Sequence, residues 1–272
     1  MFKHFLLVGL LFLCVSCNKF ENSLFGGATN TARNLNSYFS LPAFSLSSNQ
    51  SVRFAIVADS HQDYGDLEKV VEIINQKPIQ FVIHLGDFTH FGMPDEYEIF
   101  NHIFGRLRYP FFVLPGNHDL KTFSDKIYSK VFGNSDVYFD SSFGRLVFLN
   151  DCALCIRPRL VNFDYLTQAI ATADKTKPVF LFHHHEPLNS QNLIDSEKVA
   201  YRDAIAAHPQ VFIFHGHMHT PDQSSFSATG YAFQIDRTKD VSWAEVEVSD
   251  TTLKVYYCKQ GSCTKVYENT VI

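Results

Sequence analysis

The chain has 272 residues, 46% of them hydrophobic and 15% aromatic, enough for one large domain or two small ones with a true core, and this excludes disorder throughout. Its formal net charge is −5 at pH 7. No run of Lys or Arg is present to track a phosphate backbone, which argues against nucleic acid as a partner.

Residues 1–17 begin with Lys3, continue through an apolar stretch from Phe5 to Val15 and end at Ser16-Cys17. The apolar part is too short to span a bilayer but has the length of a signal-peptide core. The junction resembles a bacterial lipoprotein signal, which implies cleavage before Cys17, a lipid on that residue, and an exported protein anchored to a membrane and facing the periplasm or the cell exterior. Residues 18–50 are rich in Asn, Ser and Thr and include Gly26-Gly27, without a sustained period. They read as a flexible tether.

Residues 51–272 read as the folded domain. A strand from Arg53 to Ala58 leads into Asp59-Ser60-His61, and Leu67, Val70, Val71 and Ile74 then mark a helical stripe that stops before Pro78. The strand Phe81 to Leu85 leads into Gly86-Asp87. A helix over 95–107 precedes the strand Phe111 to Leu114, which ends in Gly116-Asn117-His118-Asp119. Strand, helix, strand repeated is the signature of βαβ units and a sheet covered on both faces. Val137 to Phe139 and Arg145 to Leu149 suggest a hairpin, followed by helices from about Phe163 to Ala173 and Ser196 to Ala207. Between those helices Val179 to Phe182 runs into His183-His184-His185, and after them Val211 to Phe214 runs into His215-Gly216-His217-Met218-His219. Short alternating runs (243–248, 253–257 and 265–271) read as a second sheet of hairpins. The architecture expected is α/β, two stacked mixed sheets flanked by helices in a four-layer αββα sandwich.

Cys258 and Cys263 flank Lys-Gln-Gly-Ser between two alternating runs, a spacing that suits a cross-hairpin disulfide in an oxidising compartment. Cys152 and Cys155 form either a local disulfide or two thiols; their spacing to the other pair is poor for a zinc site.

Five strand ends thus carry Asp, Asn or His, the oxygen and nitrogen donors that divalent metals take. The blocks DSH (59–61), GD (86–87), GNHD (116–119), the histidines before Pro187 and GHMH (216–219) stand in the order seen in the calcineurin-like metallophosphoesterase superfamily, which includes purple acid phosphatases and class III cyclic-nucleotide phosphodiesterases. The chain resembles that superfamily over residues 51–220. The resemblance implies two divalent ions (manganese, iron or zinc), with Asp59, His61 and His219 on one, Asn117, His217 and one of His183–His185 on the other, and Asp87 bridging both. His184 and His185 are both in register with Pro187, and His184 is the choice made here.

The implied reaction is hydrolysis of phosphate mono- or diesters by a hydroxide that two metals activate, their effect being to lower a water pKa from about 15.7 towards 7. His118, beside Asn117, would give a hydrogen bond or proton to the phosphoryl or leaving oxygen. His90 stands where relatives often have Asp or Asn, and reads equally as a substrate contact or a solvated loop residue. His84, His102 and His208 read as structural. His215 remains open between supporting the ligands and plain packing. The competing readings are a silent metal-binding protein on the same fold, against which an intact His118 argues, and a nuclease, which the acidic charge disfavours.

Overall fold

The run Val52–Val57 forms β1, and its alternation divides two interiors. Phe54 and Ile56 point into one buried cluster and Ala55 and Val57 into another, as period-two side chains of a strand covered on both faces must. The structure, a computed structural model, describes residues 33–40, 51–121, 125–152, 161–186 and 193–271.

β1 pairs in parallel with β2 (Phe81–His84), and β2 with β3 (Phe111–Val113). The crossovers are α2 (Tyr64–Ile74) and α3 (Pro94–Phe104). Then α4 (Asp125–Val131) leads to the antiparallel pair β4 (Val137–Ser141) and β5 (Gly144–Phe148). β5, β6 (Val179–Phe182) and β7 (Val211–His215) run parallel, connected through α5 (Phe163–Ala171) and α6 (Asp195–Ala206). β8 (Asp222–Ser225) and β9 (Tyr231–Gln234) complete that second sheet, in the order β4-β5-β6-β7-β9-β8.

The last runs, β10 (Ser242–Val248), β11 (Thr252–Lys259) and β12 (Ser262–Thr270), do not make a sheet of their own. β10 pairs antiparallel with the free side of β1, giving a first sheet in the order β12-β11-β10-β1-β2-β3. The alternating pattern of these strands shows that one face is buried; it does not say which edge receives them.

Phenylalanine makes the seam between the sheets. On the second sheet Phe180 stacks on Phe212 (5.8 Å), Phe182 on Phe214 (5.4 Å) and Phe214 on Phe233 (5.0 Å). From the first sheet, Phe54 meets Phe180, Phe182 and Phe214 edge-on at 6.2–6.4 Å. Each such buried ring stabilises by roughly 1.5–3 kcal/mol relative to exposure. Outside the sheets, α2 and α3 cover the first with Leu67, Val70, Phe100 and Phe104, and α5 and α6 cover the second with Leu166, Ile170, Tyr201 and Ile205. These are the four expected layers.

The tether reading of residues 18–50 needs correction at Arg33–Ser40, which forms a helix, α1. Asn34 donates to Val113 O and accepts from Val113 N, both at 2.9 Å. Ser37 pairs with the N–H and C=O of Phe111 in the same way. Two side chains one turn apart therefore satisfy the open edge of β3, a role normally taken by a neighbouring strand. Nothing in the polar composition of this stretch distinguishes such a cap from a linker.

Cys258 and Cys263 are disulfide-bonded across the β11–β12 pair, as their spacing suggested. Cys152 is buried against Pro115 O and Asp151, whereas Cys155 lies outside the described residues, as do Cys17 and the segments 1–32 and 41–50. Among the described residues no helix is long and apolar enough to cross a membrane.

Candidate functional site

The parallel strands β1, β2 and β3 of one sheet and β6 and β7 of the other deliver their carboxyl ends to the same edge of the sandwich. Each expected ligand follows one of these strands within about five residues. The turns are tight. Asp59, His61, Asp87, His217 and His219 all have positive φ, between 42° and 71°, a conformation costing non-glycine residues about 1–3 kcal/mol each. Interlocking backbone bonds hold them there: Asp59 N to Gly86 O (3.0 Å), His61 N to Asp87 O (2.9 Å) and Gly216 N to His184 O (3.0 Å). A Cβ on Gly116 would collide with the Asp87 carboxylate and one on Gly216 with that of Asp59, so these glycines let backbone pass directly behind the acids.

Two donor groups result. In the first, His61 Nε2 is 3.4 Å from His219 Nε2, and His219 Nε2 is 3.4 Å from Asp59 Oδ1. In the second, His184 Nε2 is 3.1 Å from Asn117 Oδ1 and 3.4 Å from Asp87 Oδ2, with the His217 ring 5.2 Å from that of His184. Asp87 joins the groups: its Oδ2 is also 3.7 Å from His61 Nε2, while its Oδ1 accepts from His118 N at 2.8 Å. All seven expected ligands are thereby brought together.

The choice between His184 and His185 turns on orientation. His184 faces the shared carboxylate. His185 directs Nδ1 away, towards Asp151 (3.4 Å) and Cys152 Sγ (3.6 Å). His61 and His184 each set Nδ1 against a carbonyl oxygen, of Thr89 (3.1 Å) and Leu85 (2.9 Å) respectively. A carbonyl only accepts, so the hydrogen sits on Nδ1 and Nε2 is the atom aimed at the site.

This donor set fits divalent metal. Asp59 Oδ1 is buried and has no hydrogen-bond donor among the described residues. The nitrogen and oxygen separations of 3.4–3.7 Å are long for hydrogen bonds. Two ligands at about 2.1 Å from a common ion lie roughly 3.4 Å apart at the tetrahedral angle, the separation of His61 from His219, His219 from Asp59 and His184 from Asp87, while His61 and Asp87 at 3.7 Å stand slightly wider. Burial lowers His61, and burial together with His184 and His185 lowers His217 to about 4, so both are neutral ligands at pH 7. Burial would raise Asp87, but His184, the His118 N–H and His61 pull it below the usual carboxylate range.

His118 stands beside these groups without joining the second one. Its Nδ1 lies 2.8 Å from His90 O and 2.9 Å from Lys121 Nζ, and its ring packs on His61 at 4.7 Å. His90 is half-buried, with its ring 5.1 Å from that of His118. His84 is structural, buried between Ser60 Oγ and Gly86 N. His208 sets both ring nitrogens against backbone carbonyls, while His102 is exposed. His215 stacks on His183 at 6.1 Å and is buried beneath the loops.

Three acids essential to this geometry were not singled out from sequence. Asp119 accepts from the N–H of Asp87 (2.7 Å), Gly116 (2.8 Å) and Thr89 (2.8 Å) and from Thr89 Oγ1 (2.8 Å), clamping two ligand loops together. Asp151 accepts from the N–H of His184 (3.2 Å) and His185 (2.8 Å). Glu96 accepts from the N–H of His90, Phe91 and Met93, all at 3.0 Å. The only signal available was Asp119 closing the GNHD block; Asp151 and Glu96 are isolated acids in sequence.

Residues 52–221 match the family model described as calcineurin-like phosphoesterase. The chain belongs to that family. A calcineurin-like phosphoesterase is a hydrolase acting on phosphoester bonds and typically binds divalent metal, for which the groups just described are the candidate donors. Among curated proteins the chain is 28% identical to a probable cyclic nucleotide phosphodiesterase of Rhodopseudomonas palustris, over 68% of this chain and 77% of that one. Its fold resembles a dimetal phosphatase from Danio rerio (TM-score 0.63, 13% identity, 79% of this chain and 98% of that one). It also resembles a purple acid phosphatase from yellow lupin (TM-score 0.62, 12% identity, 84% of this chain and 54% of that one).

Proposed function

We propose that this calcineurin-like phosphoesterase hydrolyses phosphate mono- or diesters at a dinuclear metal centre. The observation that carries the reading is Asp87, whose Oδ2 lies between His61 of one donor group (3.7 Å) and His184 of the other (3.4 Å). Asp59, His61 and His219 would hold one ion, Asn117, His184 and His217 the other, and Asp87 both. Two divalent ions bound there would polarise the phosphoryl oxygens and supply a nucleophile at neutral pH. Manganese, iron and zinc all suit such donors.

The chain's own part in the reaction is positioning and proton transfer. Neutral His and Asn ligands keep the site from becoming too negative for an anionic substrate. The backbone N–H of His118 is tied to Asp87 Oδ1, which sets the His118 ring at the edge of the ligands, where it gives a proton to the leaving oxygen. The relative named as a probable cyclic nucleotide phosphodiesterase supports diesters as substrates.

Elemental analysis coupled to turnover tests this reading. Wild-type protein should carry about two ions per chain and hydrolyse nitrophenyl phosphoesters, and Asp87→Ala should lose both ions and activity together. Wild-type protein that takes up no metal from excess manganese refutes it. We further infer export and lipid anchoring at Cys17, from the Ser16-Cys17 junction. Intact mass of membrane-extracted protein should show the lipid, and unmodified full-length protein in the cytosol refutes the anchor.

A further inference from the structure

The loop from His90 to Met93 is fastened far more firmly than its exposure requires. Glu96, only 7% exposed, completes the capping box of α3 through Met93 N, but it also accepts from His90 N, from Phe91 N with both oxygens (3.0 and 3.3 Å) and from Gln62 Nε2 at 3.2 Å. Gly92 N is held by Thr89 Oγ1 at 3.1 Å. On this fixed backbone Phe91 is 55% exposed. A single exposed apolar side chain is ordinary. One whose own amide and those of His90 and Met93 are held by a buried carboxylate, and whose following amide, Gly92 N, is held by a buried hydroxyl, beside a candidate metal site, is preorganised.

The ledge is continuous with the catalytic groups. The Phe91 ring meets that of His90 edge-to-face at 4.5 Å, His90 lies 5.1 Å from His118, and His118 lies 4.7 Å from His61. If His118 protonates the leaving oxygen, the alcohol attached to that oxygen emerges beside His118, where it meets His90, 5.6 Å from His61, and Phe91 next to it. We propose that the Glu96-held ledge of His90 and Phe91 is the subsite for the leaving alcohol and selects alcohols that carry a flat aromatic or heteroaromatic ring. This rests on the role assigned to His118 above and adds the substrate class to it.

A ring stacked on an aromatic side chain gains roughly 1–3 kcal/mol, so the expected preference is about tenfold. The test uses metal-loaded full-length protein and two matched pairs. Benzylphosphonate and ethylphosphonate report binding by calorimetry without turnover. Benzyl and ethyl phosphate, whose leaving alcohols have similar basicity, together with their methyl diesters, report kcat/KM. Wild type should bind benzylphosphonate about tenfold more tightly than ethylphosphonate and show a similar kcat/KM ratio between the esters. Phe91→Ala should reduce both ratios to near one, and Phe91→Trp should retain them. Turnover of both esters with no benzyl preference, or a preference that survives Phe91→Ala, overturns the subsite and leaves the phosphoesterase reading intact. Absence of turnover on every ester with every metal overturns that reading and the subsite with it.

Discussion

Asp151 offers the sharpest test of how the ligand loops are held. It is 9% exposed and follows β5, where it accepts the N–H groups of His184 and His185 and lies 3.3 Å from His183 Nδ1 and 3.4 Å from His185 Nδ1. Burial alone would raise its carboxyl, but His185 and His183 pull it well below the usual range, so it is a buried anion at neutral pH. Hydrogen bonds to a charged acceptor contribute about 1.5–3 kcal/mol each, and breaking a buried ionic network by removing one member costs about 3–5 kcal/mol. Asp151→Ala should therefore destabilise by about 4 kcal/mol, or about 8–16 °C in Tm for a fold of this size. Asp151→Asn, which keeps the shape and one acceptor, should lose roughly half of that.

The sign with pH follows from the depressed carboxyl. Its contribution is present above the unfolded value of about 3.9 and is lost as pH falls below it towards the folded value. In urea unfolding, the gap between wild type and Asp151→Asn should therefore be constant from about pH 7 down to about pH 5 and narrow below about pH 4. Metal affinity should fall in both variants, because the backbone of the ligand His184 has lost its anchor. A Tm change under about 3 °C in Asp151→Ala, or a gap that does not close in acid, would falsify the argument.

His118→Ala should retain its metal by elemental analysis and its Tm, yet lose about 10²–10⁴ in turnover; equal activity in the variant rules out proton donation by this residue. His184 is lowered by burial but raised more by Asp87, Asp59 and Asp151, to about 10. Metal must displace that proton, so apparent affinity should tighten with pH, by up to about tenfold per unit between about pH 6 and pH 8, and a pH-independent affinity contradicts this. Asn34→Ala strands the buried Val113 N–H at the edge of β3 and should cost about 1–3 kcal/mol, with faster hydrogen exchange at Val113 as its local signature; unchanged exchange there refutes the edge cap.

The convergence of the candidate donors was legible because the chemistry is local to short blocks. Asp59 and His61, Asn117 and His118, and His217 and His219 sit one or two residues apart at the ends of apolar strands, and parallel strands deliver such ends to one edge. Period-two and helical patterns likewise reported which segments were strands and which were helices, since each pattern records burial along its own element. What they do not record is the neighbour. The final three strands could be read as hairpins but not as additions to β1, because edge pairing is made by backbone groups that every residue carries. Asn34 and Ser37 look like linker residues until Val113 and Phe111 are seen beside them. Both His184 and His185 satisfied the spacing to Pro187, and only the direction each ring takes, one towards Asp87 and the other towards Asp151, separates them. Asp119, Asp151 and Glu96 act on backbone amides, two of the three on loops distant in sequence. A carboxylate that binds N–H groups requires nothing of its partners' side chains, so the sequence determined the donors of this site, and tertiary structure alone decided what holds them in place.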